Sequence, residues 1–191
     1  MNQKELSQEE SLRIIQGMIA LAKSKINETG FHFMLWGSLV IAASISQYVM
    51  IHNGMGNASN WVWFIMSVIG VPIAIVYERR RNKEGKTTGK FDKMYGYLWM
   101  GFGITLFVTI YVSIAHQVNP IPFILLLIGL ATFVSGAIYQ FAPLIIGAVV
   151  FWITAAICNL FAQTDQLLVY SAAIFIGYII PGIILWKRSK K

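Results

Sequence analysis

Residues 77–93 read YERRRNKEGKTTGKFDK and hold seven of the chain's fifteen Lys and Arg residues: Arg79, Arg80, Arg81, Lys83, Lys86, Lys90 and Lys93. Four more precede residue 30 (Lys4, Arg13, Lys23, Lys25), and the last four are Lys187, Arg188, Lys190 and Lys191. Between these three clusters the chain is almost wholly apolar. Apolar stretches of about 20 residues are the length of one hydrocarbon thickness, and Lys and Arg gather on the side of a bilayer that faces the cytoplasm. The alternation therefore predicts a chain threaded through a membrane, with its basic segments inside.

Working outward from that loop gives six spans, at about 31–51, 61–77, 94–115, 121–139, 144–162 and 167–186. With both termini cytoplasmic, every Lys and Arg falls on the inner side. The outer loops then carry none, and their one acid is Asp165. A five-span reading would leave the four basic residues of the tail outside, against the positive-inside rule. Gln140 to Pro143 is the weakest link in this count, because it is short and uncharged.

Composition agrees. The chain has 191 residues, 57% hydrophobic and 12% charged, and a mean hydropathy of +0.63. A soluble domain is nearer a quarter charged, because it must wet its surface. The net charge of +7 flanks apolar spans and suits anionic headgroups rather than nucleic acid, for which no recognition module is present. Cys158 is the sole cysteine, so no intrachain disulfide forms. The N-terminal segment is charged and amphipathic, unlike a secretory signal.

Residues 7–28 are predicted to form an amphipathic helix, within a cytoplasmic segment 1–30. Ser7 and Glu10 have capping-box spacing, and Leu12, Ile15, Ile19, Ala22 and Ile26 form one apolar stripe. Gly30 is the expected stop. Such a helix either lies on the inner leaflet or provides a short seam for a homodimer or a cytoplasmic protein partner.

Leu35-Trp36-Gly37 in span 1 returns as Leu98-Trp99-Met100-Gly101 in span 3, about 63 residues later. Pro72 to Arg79 and Pro181 to Arg188 share one spacing of proline, aromatic and arginine. Three hairpins of one kind (1–2, 3–4, 5–6) would explain both, as would the chance alignment that apolar segments readily give.

Candidate chemistry is sparse. No span carries Asp, Glu, Lys or Arg near its middle, which counts against ion-coupled transport. His52, His116 and Asp165 share the predicted outer face and form the only candidate metal or lipid-enzyme cluster, without local ligand spacing. His32 is read as interfacial. Gln47, Asn159 and Tyr170 are expected to hydrogen-bond between helices, and Pro72 and Pro181 to kink theirs. Ser38, Ala42 and Ser46 in span 1, and Ala173 and Gly177 in span 6, offer lines of small residues for close helix approach. Arg79, Arg80, Arg81, Lys83, Lys187 and Arg188 are the expected contacts to lipid headgroups or a partner. No catalytic motif or cofactor loop is present, and no cofactor is expected.

In size and hairpin pattern the plan resembles small bacterial six-helix inner-membrane proteins, among them the acid-resistance membrane proteins of the HdeD type. The amphipathic segment with Glu10-Ser11-Leu12, followed by Phe31 to Gly37, looks like a family feature. The resemblance implies a bacterial inner membrane and carries over no functional residue.

The sequence thus predicts an all-α membrane protein: an amphipathic helix followed by a six-helix bundle in residues 31–191. The function expected is non-enzymatic, of accessory, stress-related or regulatory type, exerted through protein or lipid contacts. The alternative is a small transporter or channel for an uncharged or hydrophobic solute. Where Gln47, Thr105, Thr109 and Asn159 point separates the two.

Overall fold

The computed structural model describes the backbone of residues 8–82 and 90–189, and the side chains of residues 30–56, 58–80 and 95–187. Among the described residues all regular structure is helical. α1 (Gln8–His52) leads through the single turn α2 (Gly56–Ser59) to α3 (Trp61–Asn82). α4 (Lys90–Ala115), α5 (Ile121–Ile138) and α6 (Ala142–Ile157) follow, the last running into a 3₁₀ turn, Cys158–Leu160. α7 (Gln166–Ile174), a π-helical turn (Phe175–Ile179) and α8 (Ile180–Ser189) complete the chain as one interrupted rod.

Six stretches of these helices are long and apolar enough to cross a membrane: Gly30–His52, Trp61–Arg80, Tyr95–Ala115, Ile121–Ile138, Ala142–Leu160 and Gln166–Lys187, here spans 1 to 6. They match the sequence expectation to within a few residues, because length and hydropathy alone define them. The short 4–5 connection is resolved by the way span 4 ends. Gln140 takes the left-handed conformation (φ 50°), while Phe141 N–H bonds Gly136 O at 2.9 Å and Gln140 N–H bonds Ala137 O at 3.2 Å. This is a Schellman end, which reverses the chain in a few residues. The same pair of bonds closes span 1 at Gly54 and span 3 at Gln117.

One expectation is corrected. Gly30 does not stop the first helix, since α1 runs unbroken for 45 residues through it. Its lack of a side chain serves packing instead. A Cβ there would lie 3.1 Å from Gly182 O and 3.1 Å from Leu185 Cβ, so Gly30 admits span 6 against span 1. The expected cap at Ser7 and the apolar stripe of residues 7–28 fall outside the described side chains.

Neighbouring spans run antiparallel. Phe31 stacks on Tyr77 at 3.8 Å at one end of the 1–2 pair, and Gln47 bonds Asn60 at 2.8 Å at the other. Span 1 lies along span 6, where Ser44 Oγ donates to Leu167 O at 2.8 Å. The tightest pairings are 4 with 5 and 1 with 6, and span 6 also packs on span 5. These four spans enclose the core of Leu125, Leu144, Phe151, Ile174 and Leu185. Spans 2 and 3 sit outside it, against span 1 and span 4 respectively. Only 6% of each of these outer spans is buried, against 44%, 39% and 50% for spans 4, 5 and 6.

Span 6 owes its π turn to Pro181. Proline has no N–H for the carbonyl four residues back, and its ring presses on that carbonyl. The carbonyl is that of Gly177, within the wide turn, and it faces span 5 at Gly147. Pro72, by contrast, lies exposed within an unbroken α3. The small-residue line Ser38, Ala42, Ser46 faces outward, whereas Ala173 and Gly177 are buried as expected.

Candidate functional site

Side chains converge where spans 1, 3 and 6 meet, near the end that carries Gly30, Arg80 and Lys187. A partly open cleft of about 250 Å³ is lined by His32, Phe33 and Trp36 of span 1, Tyr95, Gly96 and Trp99 of span 3, and Tyr178 of span 6. Two helices contribute at the same spacing, i, i+1 and i+4. On an α-helix the first and last of these stand one turn apart on one face. The two sets stand about 63 residues apart in the chain, the offset at which Trp36 and Trp99 recur.

The π turn carries Tyr178, and π turns are frequent at functional sites. The Tyr178 ring is buried against Phe33, with centroids 4.9 Å apart, and meets Phe151 edge-on at 5.3 Å. Thr132 Oγ1 donates to its hydroxyl at a long 3.4 Å. Phe33 and Trp99 meet edge to face at 6.0 Å, as do Tyr95 and Trp99 at 6.1 Å. Edge-to-face contacts lock rings in place by their quadrupoles. Trp99 Nε1 is the one buried side-chain nitrogen or oxygen among the described residues without a well-aligned hydrogen-bond partner, although the Tyr95 side chain lies beside it.

At the rim, His32 Nε2 lies 3.5 Å from Glu78 Oε2, an ion pair when the imidazole is protonated. Both side chains are partly exposed, so the pair orients the rim more than it stabilises the fold.

Apart from His32, Trp36 and Trp99, the residues singled out from sequence do not line the cleft. Gln47 accepts from Trp63 Nε1 at 2.7 Å and donates to Asn60, tying span 1 to the start of span 2. Thr105 donates to Gly101 O of its own helix at 2.8 Å. Asn159 is exposed in the 3₁₀ turn that ends span 5, and Tyr170 is buried beside Trp63. His52 bonds its own helix at Tyr48 O, 3.0 Å away, and both His116 and Asp165 are exposed. Among the described residues no three His, Cys, Asp or Glu side chains form a group able to hold a metal. Arg79, Arg80 and Lys187 are exposed, while Arg81, Lys83 and Arg188 lie outside the described side chains.

A second buried polar knot ties the opposite end of the bundle. Gln166 Oε1 accepts from Asn119 Nδ2 at 2.8 Å and from Cys158 Sγ at 3.3 Å, and its Nε2 donates to Phe161 O at 3.1 Å.

Sequence reasoning noticed Trp36 and Trp99 only as repeat elements, and it passed over Tyr95 and Tyr178. Their convergence is set by which helices pair, and a string of apolar spans does not encode that visibly.

Six long apolar helices are compatible with a multi-pass membrane protein. No protein-family model, curated protein or solved structure matches the chain.

Proposed function

We propose that the chain is a multi-pass protein of a bacterial inner membrane, of accessory, stress-related or regulatory type, that acts through contacts with lipid or protein and performs no chemistry itself. The observation that carries this reading is the outward placement of spans 2 and 3. Each is buried over only 6% of its apolar window, so each presents a broad face that lipid or another membrane protein must cover. The polar side chains support it too. None of Gln47, Thr105, Thr109 and Asn159 lines the cleft, and Gln47 and Thr105 are taken up in separate contacts, the pattern expected of a packed scaffold. The cleft itself is the observation that favours that alternative.

The positive-inside rule orients the bundle with both termini and residues 78–93 in the cytoplasm. The N-terminal segment of α1 and the basic residues then share one aqueous face, where residues 7–28 meet a second copy or a soluble partner. Spans 1–2, 3–4 and 5–6 each touch, but the tighter pairings are 4 with 5 and 1 with 6, so three hairpins of one kind rest on the sequence spacings alone.

Native mass spectrometry on gently solubilised protein, with and without residues 1–28, tests the contact reading. The full-length chain is expected to retain a dimer or a protein partner that the shortened chain loses. Monomers in both cases would remove residues 7–28 as the contact element. Reporter fusions after residues 55, 85 and 191 test the orientation, and an external signal at 85 or 191 would overturn it.

A further inference from the structure

We propose that α1, on the cytoplasmic side of span 1, docks an acidic amphipathic helix of a soluble protein along the register of Leu12, Ile15, Ile19, Ala22 and Ile26. This partner class rests on the contact reading above. The helix is unbroken from Gln8 to His52, while its apolar membrane stretch is Gly30–His52. Residues 8–29 therefore carry the axis of span 1 about 33 Å further, roughly six turns. No proline stands in α1 to bend it back along the headgroups. The described helices beside it end much sooner. α8 ends at Ser189, within about one turn of the Trp186 that neighbours Gly30. α3 ends at Asn82, between one and two turns past the Tyr77 that stacks on Phe31. α4 begins at Lys90, about two and a half turns before the Trp99 that meets Phe33. Leu12 to Ala22 lie beyond all three ends.

At about 3.6 residues per turn, Leu12, Ile15, Ile19, Ala22 and Ile26 all fall within about 60° of Phe33 round the α1 axis. Gly37 and Ser44 share that sector, and with Phe33 they are among the positions where span 1 meets span 6. Phe33 and Gly37 lie against Tyr178, and Ser44 bonds Leu167 O. One face of α1 thus receives a helix inside the bilayer and keeps the same apolar register outside it. Neither adjoining segment supplies a second helix for the outer part. Residues 78–93 hold a single apolar residue, Phe91, and residues 187–191 hold none.

Charge chooses between a second copy and an acidic partner. Written as heptads, Leu12, Ile19 and Ile26 are a positions, and Ile15 and Ala22 are d positions. Lys23 then falls at e and Lys25 at g, with no Asp or Glu at e or g between Leu12 and Ile26. Two copies leave one leaflet side by side and run parallel. Their seam gathers four lysines with no acid to answer them, and like charges so placed oppose pairing. A seam of two heptads is marginal by itself, so the flanking charge decides it. A helix with Glu or Asp at its own e and g positions turns the same lysines into ion pairs. The positive-inside orientation gathers all fifteen Lys and Arg at this end with seven of the eight acids. That positive field steers an acidic protein toward it.

The test uses full-length protein in phosphatidylcholine nanodiscs and two labelled helical peptides of about three heptads, alike at a and d, one with Glu and one with Lys at e and g. Fluorescence anisotropy at low salt is expected to show saturable binding of the Glu peptide, and at least about tenfold weaker binding of the Lys peptide. Ile19→Asp is expected to weaken the Glu peptide at least about tenfold. Lys23→Glu with Lys25→Glu in one chain is expected to reverse the preference, a gain for the Lys peptide that misfolding does not produce. The proposal fails if the parent binds both peptides alike or neither, or if Ile19→Asp binds the Glu peptide like the parent. It fails in favour of a second copy if Ile15→Cys chains in proteoliposomes cross-link to dimers that excess Glu peptide leaves unchanged. It fails in favour of the membrane if a fluorophore attached in Ile15→Cys is quenched by nitroxide-labelled lipid. Failure on the peptides with a dimer in native mass spectrometry keeps residues 7–28 as a contact element and removes only the acidic partner. An external reporter signal at 85 removes the orientation on which both rest.

Discussion

Gly147→Ala is expected to destabilise the bundle by about 3 kcal/mol, the upper end of what overpacking costs. For a chain of this size that lowers the thermal midpoint in detergent by roughly 6–12 °C. The reason is the identity of the neighbours. A Cβ on Gly147 would lie 2.8 Å from Gly177 O and 2.9 Å from Gly177 Cα. Both are backbone atoms, so no rotamer change relieves the contact and the helices must separate. Separation is costly in a bilayer, where helix association rests on close van der Waals contact rather than on expelling water. It would also disturb Phe151, fully buried in the same layer.

The reciprocal substitution tests the mechanism. A Cβ on Gly177 would fall 2.3 Å from Phe151 Cζ, a side-chain atom that a smaller residue removes. Gly177→Ala alone should therefore melt low, and Phe151→Leu in the same chain should recover part of the loss. Gly147→Ala should gain nothing from Phe151→Leu. Val149→Leu, on the exposed side of span 5, should shift the midpoint by no more than about 1–2 °C, as surface changes do. If Gly147→Ala melts with the parent, spans 5 and 6 do not meet backbone to backbone.

These glycines show which parts of the structure were legible in the sequence. The six spans were, because hydropathy over about 20 residues is a local property. Helix pairing was not, because in an apolar environment it is decided by small residues whose partners lie far along the chain. Gly147 and Gly177 belong to different spans, and Gly30, which read as a helix stop, meets Gly182 near the other end of the sequence. The line Ser38, Ala42, Ser46 had the right composition and the wrong face. Its neighbours Gly37, Ala43 and Ser44 are the buried ones, one or two positions away on the same helix. The cleft was half legible. Trp36 and Trp99 stood out through their shared spacing, yet nothing local announced that Tyr178, held in a π turn by a proline three residues on, would join them.

Gln166→Leu is the second substitution expected to act strongly, at about 2 kcal/mol, because it removes an acceptor and a donor that four segments share. Gln166 is 5% exposed. Its Oε1 holds Asn119 and Cys158, and its Nε2 satisfies Phe161 O. Asn119 in turn accepts from Ile121 N–H at 3.0 Å, fixing the start of span 4. Leucine has nearly the same volume, so the loss is one of hydrogen bonding rather than packing. A buried polar group deprived of its partner costs about 1–3 kcal/mol, more than the bond itself contributes net. Asn119→Ala alone should cost about 1 kcal/mol, since water reaches Gln166 from that side once the amide is gone. In the double variant the two losses should fall short of their sum by about 1 kcal/mol, the coupling of a direct contact. Gln166→Glu keeps the acceptor toward Asn119 but sets a second oxygen against Phe161 O, so it should destabilise nearly as much as leucine. Simple addition in the double variant would mean that Gln166 and Asn119 act independently, and that the end of the bundle is held by packing alone.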